Sequence, residues 1–227
     1  DVDEFVRFAA SDSQVGLEEV VVIAQSVGAV LVATWVHDYA PAIRGLVLAS
    51  PAFKVKLYVP LARPALALWH RLRGLFFINS YVKGRYLTHD RQRVASFNND
   101  PLITRAIAVN ILLDLYKTSE RIVSDAAAIT LPTQLLISGD DYVVHRQPQI
   151  DFYQRLRSPL KELHLLPGFY HDTLGEENRA LAFEKMQSFI SHLYANKSQK
   201  FDYQHEDCTG PSADRWRLLS GGPVPLS

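Results

Sequence analysis

Apolar positions along the chain fall into short unbroken runs separated by stretches of helical period. Residues 20–23 (VVVI) are a β-branched run suited to a strand buried on both faces, and residues 28–40 (GAVLVATWVHDYA) have helical length and end before Pro41. Further runs at 43–49 (IRGLVLA), 133–138 (TQLLIS) and, more weakly, 161–166 (KELHLL) are bounded by Pro, Gly or Ser. Helical patterns at 147–156 and 176–194 follow the third and fourth runs. Strands alternating with helices predict an α/β architecture, a parallel sheet covered on both faces.

Two segments break the alternation. Residues 51–130 show no convincing strand. Their front half is apolar and aromatic, and in the back half Leu102, Ile103, Ala106, Val109, Ile111, Leu112 and Leu115 predict one buried helical face, so the segment reads as a helical cap over the sheet. Residues 196–227 are polar, carry Gly-Gly-Pro near their end and lack periodicity, which predicts a tail or linker.

Composition narrows the function classes. The 24 basic and 24 acidic residues among 227 cancel, and they alternate along the chain, leaving no electrostatic footprint for nucleic acid. An apolar content of 48% excludes a disordered chain, and Cys208 alone cannot make an internal disulfide. The first residues, DVDEFVRF, lack the basic-then-apolar order of a secretory signal, so a cytoplasmic location is expected. Residues 20–36 carry no charge, but Gln25 and Ser26 lie near their centre and Glu18, Glu19, His37 and Asp38 flank them without anchoring cations, which argues against a membrane span. The chain begins at Asp1 and its one methionine is Met186, so it reads as a processed, trimmed or partial product.

The segment 24–28 (AQSVG) places Ser26 between a strand and a helix. A sharp turn there lifts the side chain above the carboxyl edge of a sheet, and the helix start aims free backbone N–H groups at any anion formed beside it. Small residues two positions either side, Ala24 and Gly28, fit a close approach of strand and helix. A buried turn serine bonded to backbone is the plainer alternative. A serine nucleophile needs a histidine to take its proton and a carboxylate to orient that histidine. In this arrangement the carboxylate follows a later strand and the histidine the next one. The third run leads into SGDDYVV and the fourth into PGFYHD, which supplies the order Ser26, Asp141, His171.

Taken singly, Asp140 and Asp141 also read as turn or helix-start residues, and His171 as a loop histidine. The three together, each after its own strand and in the required order, point to a hydrolytic triad. Asp141 is preferred to Asp140 because it precedes the apolar Tyr-Val-Val run. The N–H of Val27 is then a candidate oxyanion donor. His164 lies inside a strand pattern, His89-Asp90-Arg91 reads as a solvated face of the cap, and His145 as a bystander near the pocket. No zinc spacing is present, Cys208 is a poor ligand or nucleophile, and no metal or cofactor is expected.

At these residues the chain resembles the α/β-hydrolase superfamily, in particular its lysophospholipase, monoacylglycerol lipase and serine aminopeptidase S33 members. The pieces that carry the resemblance are VVVIAQSVGA, IRGLVLASPAF, YLTHDRQRVASFNNDPL, LLISGDDYVVH and LPGFYHDTLGE, within residues 1–195. It implies Ser26 as nucleophile, Asp141 as acid, His171 as base and Val27 as second oxyanion donor, acting on lipid-like esters with an amide-cleaving aminopeptidase or a non-catalytic binding domain as alternatives. The implied organisation is hydrolase core at 1–50 and 131–195, cap at 51–130 and tail at 196–227. The apolar cap implies peripheral membrane contact.

Two departures stand out: Ala24 replaces the family's first glycine, and the strands and His-Gly-type loop expected before the nucleophile strand are not found among residues 1–18. The chain is therefore expected to be an N-terminally truncated hydrolase, unstable or barely active alone. The form LPGFYHDTLGE is also similar to hydrolases joined to a downstream methyltransferase domain.

Overall fold

The computed structural model describes residues 1–195; the predicted tail, and Cys208 with it, lies outside the described residues. Along the chain lie α1 (Val2–Asp12), β1 (Val21–Gln25), α2 (Ser26–Tyr39), β2 (Gly45–Ala49), α3 (Ala62–Arg73), β3 (Phe77–Asn79), α4 (Arg91–Asn99), β4 (Ala106–Ala108), α5 (Val109–Ser124), β5 (Thr133–Ser138), α6 (Gln147–Arg155), β6 (Lys161–Leu166) and α7 (Ala180–Ala195). The four apolar runs become one parallel sheet in the order β1-β2-β5-β6.

The runs of β2 and β5 are continuous because both faces of the sheet are covered at its centre, while β1 and β6 at its edges are only partly buried. Leu46 and Leu48 of β2 and Leu135 of β5 face a layer built from α2, α5 and α6, into which Trp35, Ile122 and Phe152 pack. Val47, Ala49 and Leu136 point the other way, onto Met186, Phe189 and Leu193 of α7. The uncharged stretch 20–36 is divided between β1 and α2, and no helix among the described residues is long and apolar enough to cross a membrane. Among the described residues β1 pairs only with β2, and Ile23 in it is 44% exposed. An unpaired strand edge of this kind presents free backbone groups to another chain.

The segment between β2 and β5 differs from its expected form in two ways. It contains a short antiparallel ladder, β3 with β4, whose residues are exposed or half-buried and so show no hydrophobic alternation. Its long helix starts only at Val109, and the buried face is Val109, Leu112, Leu113, Tyr116, Ser119 and Ile122; Leu102 and Ile111 are exposed. Residues 100–105 are instead turn and irregular backbone, with the Asp100 side chain accepting from Leu102 N.

Beside the packing of α5 against α2 and α6, two attachments tie this segment to loops at the carboxyl edge of the sheet. At the first, Val55 bridges Val144 in antiparallel fashion, Lys56 N donates to Val143 O at 2.8 Å and His145 N to Lys54 O at 2.8 Å. The Lys56 ammonium and the Tyr58 hydroxyl add bonds to the carbonyls of Asp141 and Tyr142. At the second, Asp172 N donates to Leu87 O at 2.8 Å, the Thr88 hydroxyl to Gly175 O at 2.9 Å, and His89 pairs with Glu176.

Candidate active site

Ser26 opens α2 directly after β1, with φ of 56°, a left-handed conformation unusual for a residue with a side chain. The strain places its Oγ at the carboxyl edge of the sheet. Ala24 is buried beneath the turn, whereas a Cβ built on Gly28 would meet nothing within 4 Å, so the close approach expected there is absent. Asp141 follows β5 by way of Gly139, where a Cβ would stand 2.8 Å from Leu166 O and 2.9 Å from Pro167 Cα; only glycine lets the acid loop lie this close to the histidine loop. His171 follows β6 by way of Gly168, which takes φ of 78°.

These three loops converge. Ser26 Oγ lies 2.7 Å from His171 Nε2, and His171 Nδ1 lies 2.7 Å from Asp141 Oδ2. Asp141 Oδ1 accepts from Val143 N at 2.7 Å and Val144 N at 2.9 Å, so the apolar run serves the acid through its backbone. Because a carboxylate only accepts, Nδ1 carries the ring proton and Nε2 is left free to accept the serine hydroxyl. Asp141 and His171 are buried; Asp140 is exposed and uses its N–H on Phe169 O at 2.9 Å. Val27 follows Ser26 in the first turn of α2, where N–H groups have no acceptor within the helix.

A buried floor of hydroxyls lies below. Thr173 Oγ1 is 2.9 Å from both Ser50 Oγ and Ser138 Oγ, joining the ends of β2 and β5 to the histidine loop. Sequence patterning gave no signal for this, nor for the tyrosines around the site: Tyr142 meets Tyr170 edge-on at 5.0 Å and Tyr86 at 5.7 Å.

Among the other histidines, His164 sits in β6 against Glu162, and His145 is largely exposed, its imidazole held below its ordinary value by partial desolvation and by the charges of Lys54 and Lys56. His89 is exposed, as expected of a solvated face, but it is also engaged. Its ring stacks 3.9 Å from Tyr170 and its Nδ1 lies 2.9 Å from Glu176, while Asp90 caps α4 through Gln92 N and Arg93 N.

Glu176 is 2% exposed and gathers Tyr170 N, His89 N, Glu177 N, the Thr88 hydroxyl and the His89 ring. Burial pushes its carboxyl up, but the donors from Tyr170, Glu177 and His89 outweigh it and hold the group below its ordinary value. A lowered folded pKa means that the unfolded chain binds more protons in the acid window. The contribution is therefore complete above the ordinary carboxylate range and is lost as pH falls through the folded value. Glu176→Gln is expected to cost about 2 kcal/mol at neutral pH. Thermal melts over a pH series should also show a shallower loss of stability toward acid than in the parent.

A parallel sheet that carries a strained serine turn, an acid loop and a histidine loop at its carboxyl edge defines an α/β-hydrolase. A solved structure of the same fold is the monoacylglycerol lipase of Paleococcus ferrophilus, with a TM-score of 0.72 at 18% identity over 84% of this chain and 73% of that one. The family model described as serine aminopeptidase, S33, matches residues 1–178, and the chain belongs to that family. It is 98% identical to YnbC of Escherichia coli (strain K12) over all 227 residues, which span 39% of YnbC. It is 25% identical to phospholipase YtpA of Bacillus subtilis (strain 168) over 176 residues, 75% of this chain and 67% of that protein.

Proposed function

We propose that this chain carries the centre of a serine hydrolase for carboxylic esters of lipid-like alcohols. The observation behind this is the unbroken relay from Ser26 through His171 to Asp141, with 2.7 Å at each link. In the reaction Ser26 Oγ attacks the ester carbonyl carbon while its proton passes to His171 Nε2. The carbonyl oxygen gains negative charge, and Val27 N–H donates to it. His171 then gives its proton to the departing alkoxide, which leaves as the alcohol, and the acyl group remains on Ser26. Water, losing a proton to His171, attacks the acyl carbon; the acid departs and Ser26 recovers its proton. Asp141 holds the imidazole in the required tautomer and stabilises its charged form.

An acyl-chain substrate is supported by the cap. None of the residues of α3 is buried, and Leu68, Trp69 and Leu72 on it, with Leu75 and Phe77 beyond, are exposed. Apolar side chains interleaved with Arg71 and Arg73 on such a helix suit contact with a lipid surface. The similarity to a phospholipase and to the fold of a monoacylglycerol lipase agrees with this reading.

The family description favours a second reading, cleavage of an N-terminal amide in a small peptide. That reaction calls for a free carboxylate to meet the substrate ammonium. Of the carboxylates beside the histidine loop, Asp172 is engaged by Arg93, Asp90 by Arg179 and Glu176 by His89, which leaves the exposed Asp140 to serve that role. Given p-nitrophenyl acyl esters and aminoacyl-p-nitroanilides side by side, the full-length protein is expected to turn over the esters, faster as the acyl chain lengthens, and to leave the anilides intact. Faster anilide cleavage would overturn the ester assignment.

A further inference from the structure

We infer that Gln25 is a positioning residue that sets the approach of His171 to Ser26 by gripping residues 172–174 from within the nucleophile turn, with Arg93 of the cap closing the grip. This rests on the triad reading above. Gln25 precedes Ser26 at the end of β1, yet its side chain belongs to the other side of the site. Its Nε2 donates to Asp172 Oδ1 at 2.8 Å, and its Oε1 accepts from Leu174 N at 2.9 Å. The second oxygen of Asp172 accepts from Arg93 Nε at 2.9 Å, with Nη2 also at 2.9 Å, and its N–H is spent on Leu87 O.

The chemistry of the position calls for an amide. A carboxylate at residue 25 would face that of Asp172, and an apolar side chain would leave both Asp172 Oδ1 and Leu174 N without this partner. Asp141 orients the imidazole but does not set how far the backbone of the histidine loop stands from the serine turn. Gln25 bonds the two loops directly, beside a 2.7 Å contact between the reacting groups. A misplacement of about 1 Å at such a contact lowers a rate on the order of a hundredfold.

The test uses the full-length protein, with ester kcat and KM, the rate of fluorophosphonate labelling and the melting temperature measured for each variant. Gln25→Leu and Gln25→Glu should lower kcat and the labelling rate by about 10- to 100-fold with KM changed little. The exchange Gln25→Glu/Asp172→Asn moves the amide across the contact: the new amide can still accept from Arg93 and donate to the new carboxylate, which still accepts from Leu174 N. It should recover kcat to within a few-fold of the parent. A merely structural loss would follow the melting temperature and would not separate kcat from KM.

Single variants with parental kcat, or an exchange variant no faster than Gln25→Glu alone, would overturn the inference; should the singles fail to fold, the exchange variant carries the decision. A parent protein that neither labels nor turns over esters would instead remove the triad reading, and the grip with it.

Discussion

Ser26→Ala should abolish labelling of the full-length protein by a fluorophosphonate and lower ester turnover by about a millionfold. Alanine removes the only atom that can carry the acyl group, and His171 Nε2, 2.7 Å from Oγ in the parent, is left with no proton to take. Residual turnover would come from binding and oxyanion donation alone. The strained φ of 56° at this residue sharpens the test. Alanine must adopt the same left-handed conformation, so a modest drop in melting temperature together with complete loss of labelling separates chemistry from folding. A variant that retains labelling would move the nucleophile elsewhere and defeat the proposed mechanism.

Asp141→Asn should lower kcat by about ten-thousandfold with the fold intact. The direction follows from hydrogen-bond roles. Asp141 Oδ1 accepts from Val143 N and Val144 N, so the carbonyl oxygen of the replacement amide is drawn to those two donors. Its NH2 must then face His171 Nδ1, which becomes an acceptor. The ring proton is forced to Nε2, against Ser26 Oγ, and the base is lost. Asp140→Asn supplies the control: Asp140 is exposed and contributes only its backbone N–H, so turnover should stay within about twofold, as for a surface substitution away from the site. Pre-steady-state measurement of acylation distinguishes the two, and equal effects at 140 and 141 would contradict the assignment of the acid.

β2 and the centre of β5 were legible because strand positions covered on both faces are apolar; β6, which coincides with the run at 161–166, is only half-buried and carries Lys161, Glu162 and His164, which is why its signal was weaker. That Ser26, Asp141 and His171 meet was legible for a related reason, since each lies just past the carboxyl end of a strand. β3 and β4 left no trace, being three residues long and poorly buried. The buried face of α5 was misphased because Leu102 and Ile103, apolar and at helical spacing, belong to the turn region before the helix. The bonds that join Gln25 to Asp172 and His89 to Glu176 were missed for a different reason. Gln25 and Asp172 are 147 residues apart, and pairing at that separation is set by the packed sheet, with no local periodicity to reveal it.

For the proposed hydrolase, the two attachments at the carboxyl edge would also bear on how a substrate enters. One foot, at residues 54–58, is stitched to the loop of the acid, and the other, at residues 87–93, to the loop of the base. A cap hinged at either foot would drag Asp141 or His171 with it whenever it swung. Under the proposed mechanism, widening of the doorway without disturbing the relay would fall to the arch between the feet, where α3 carries its exposed leucines and Trp69 and is tied to α5 through Arg63 and Glu120.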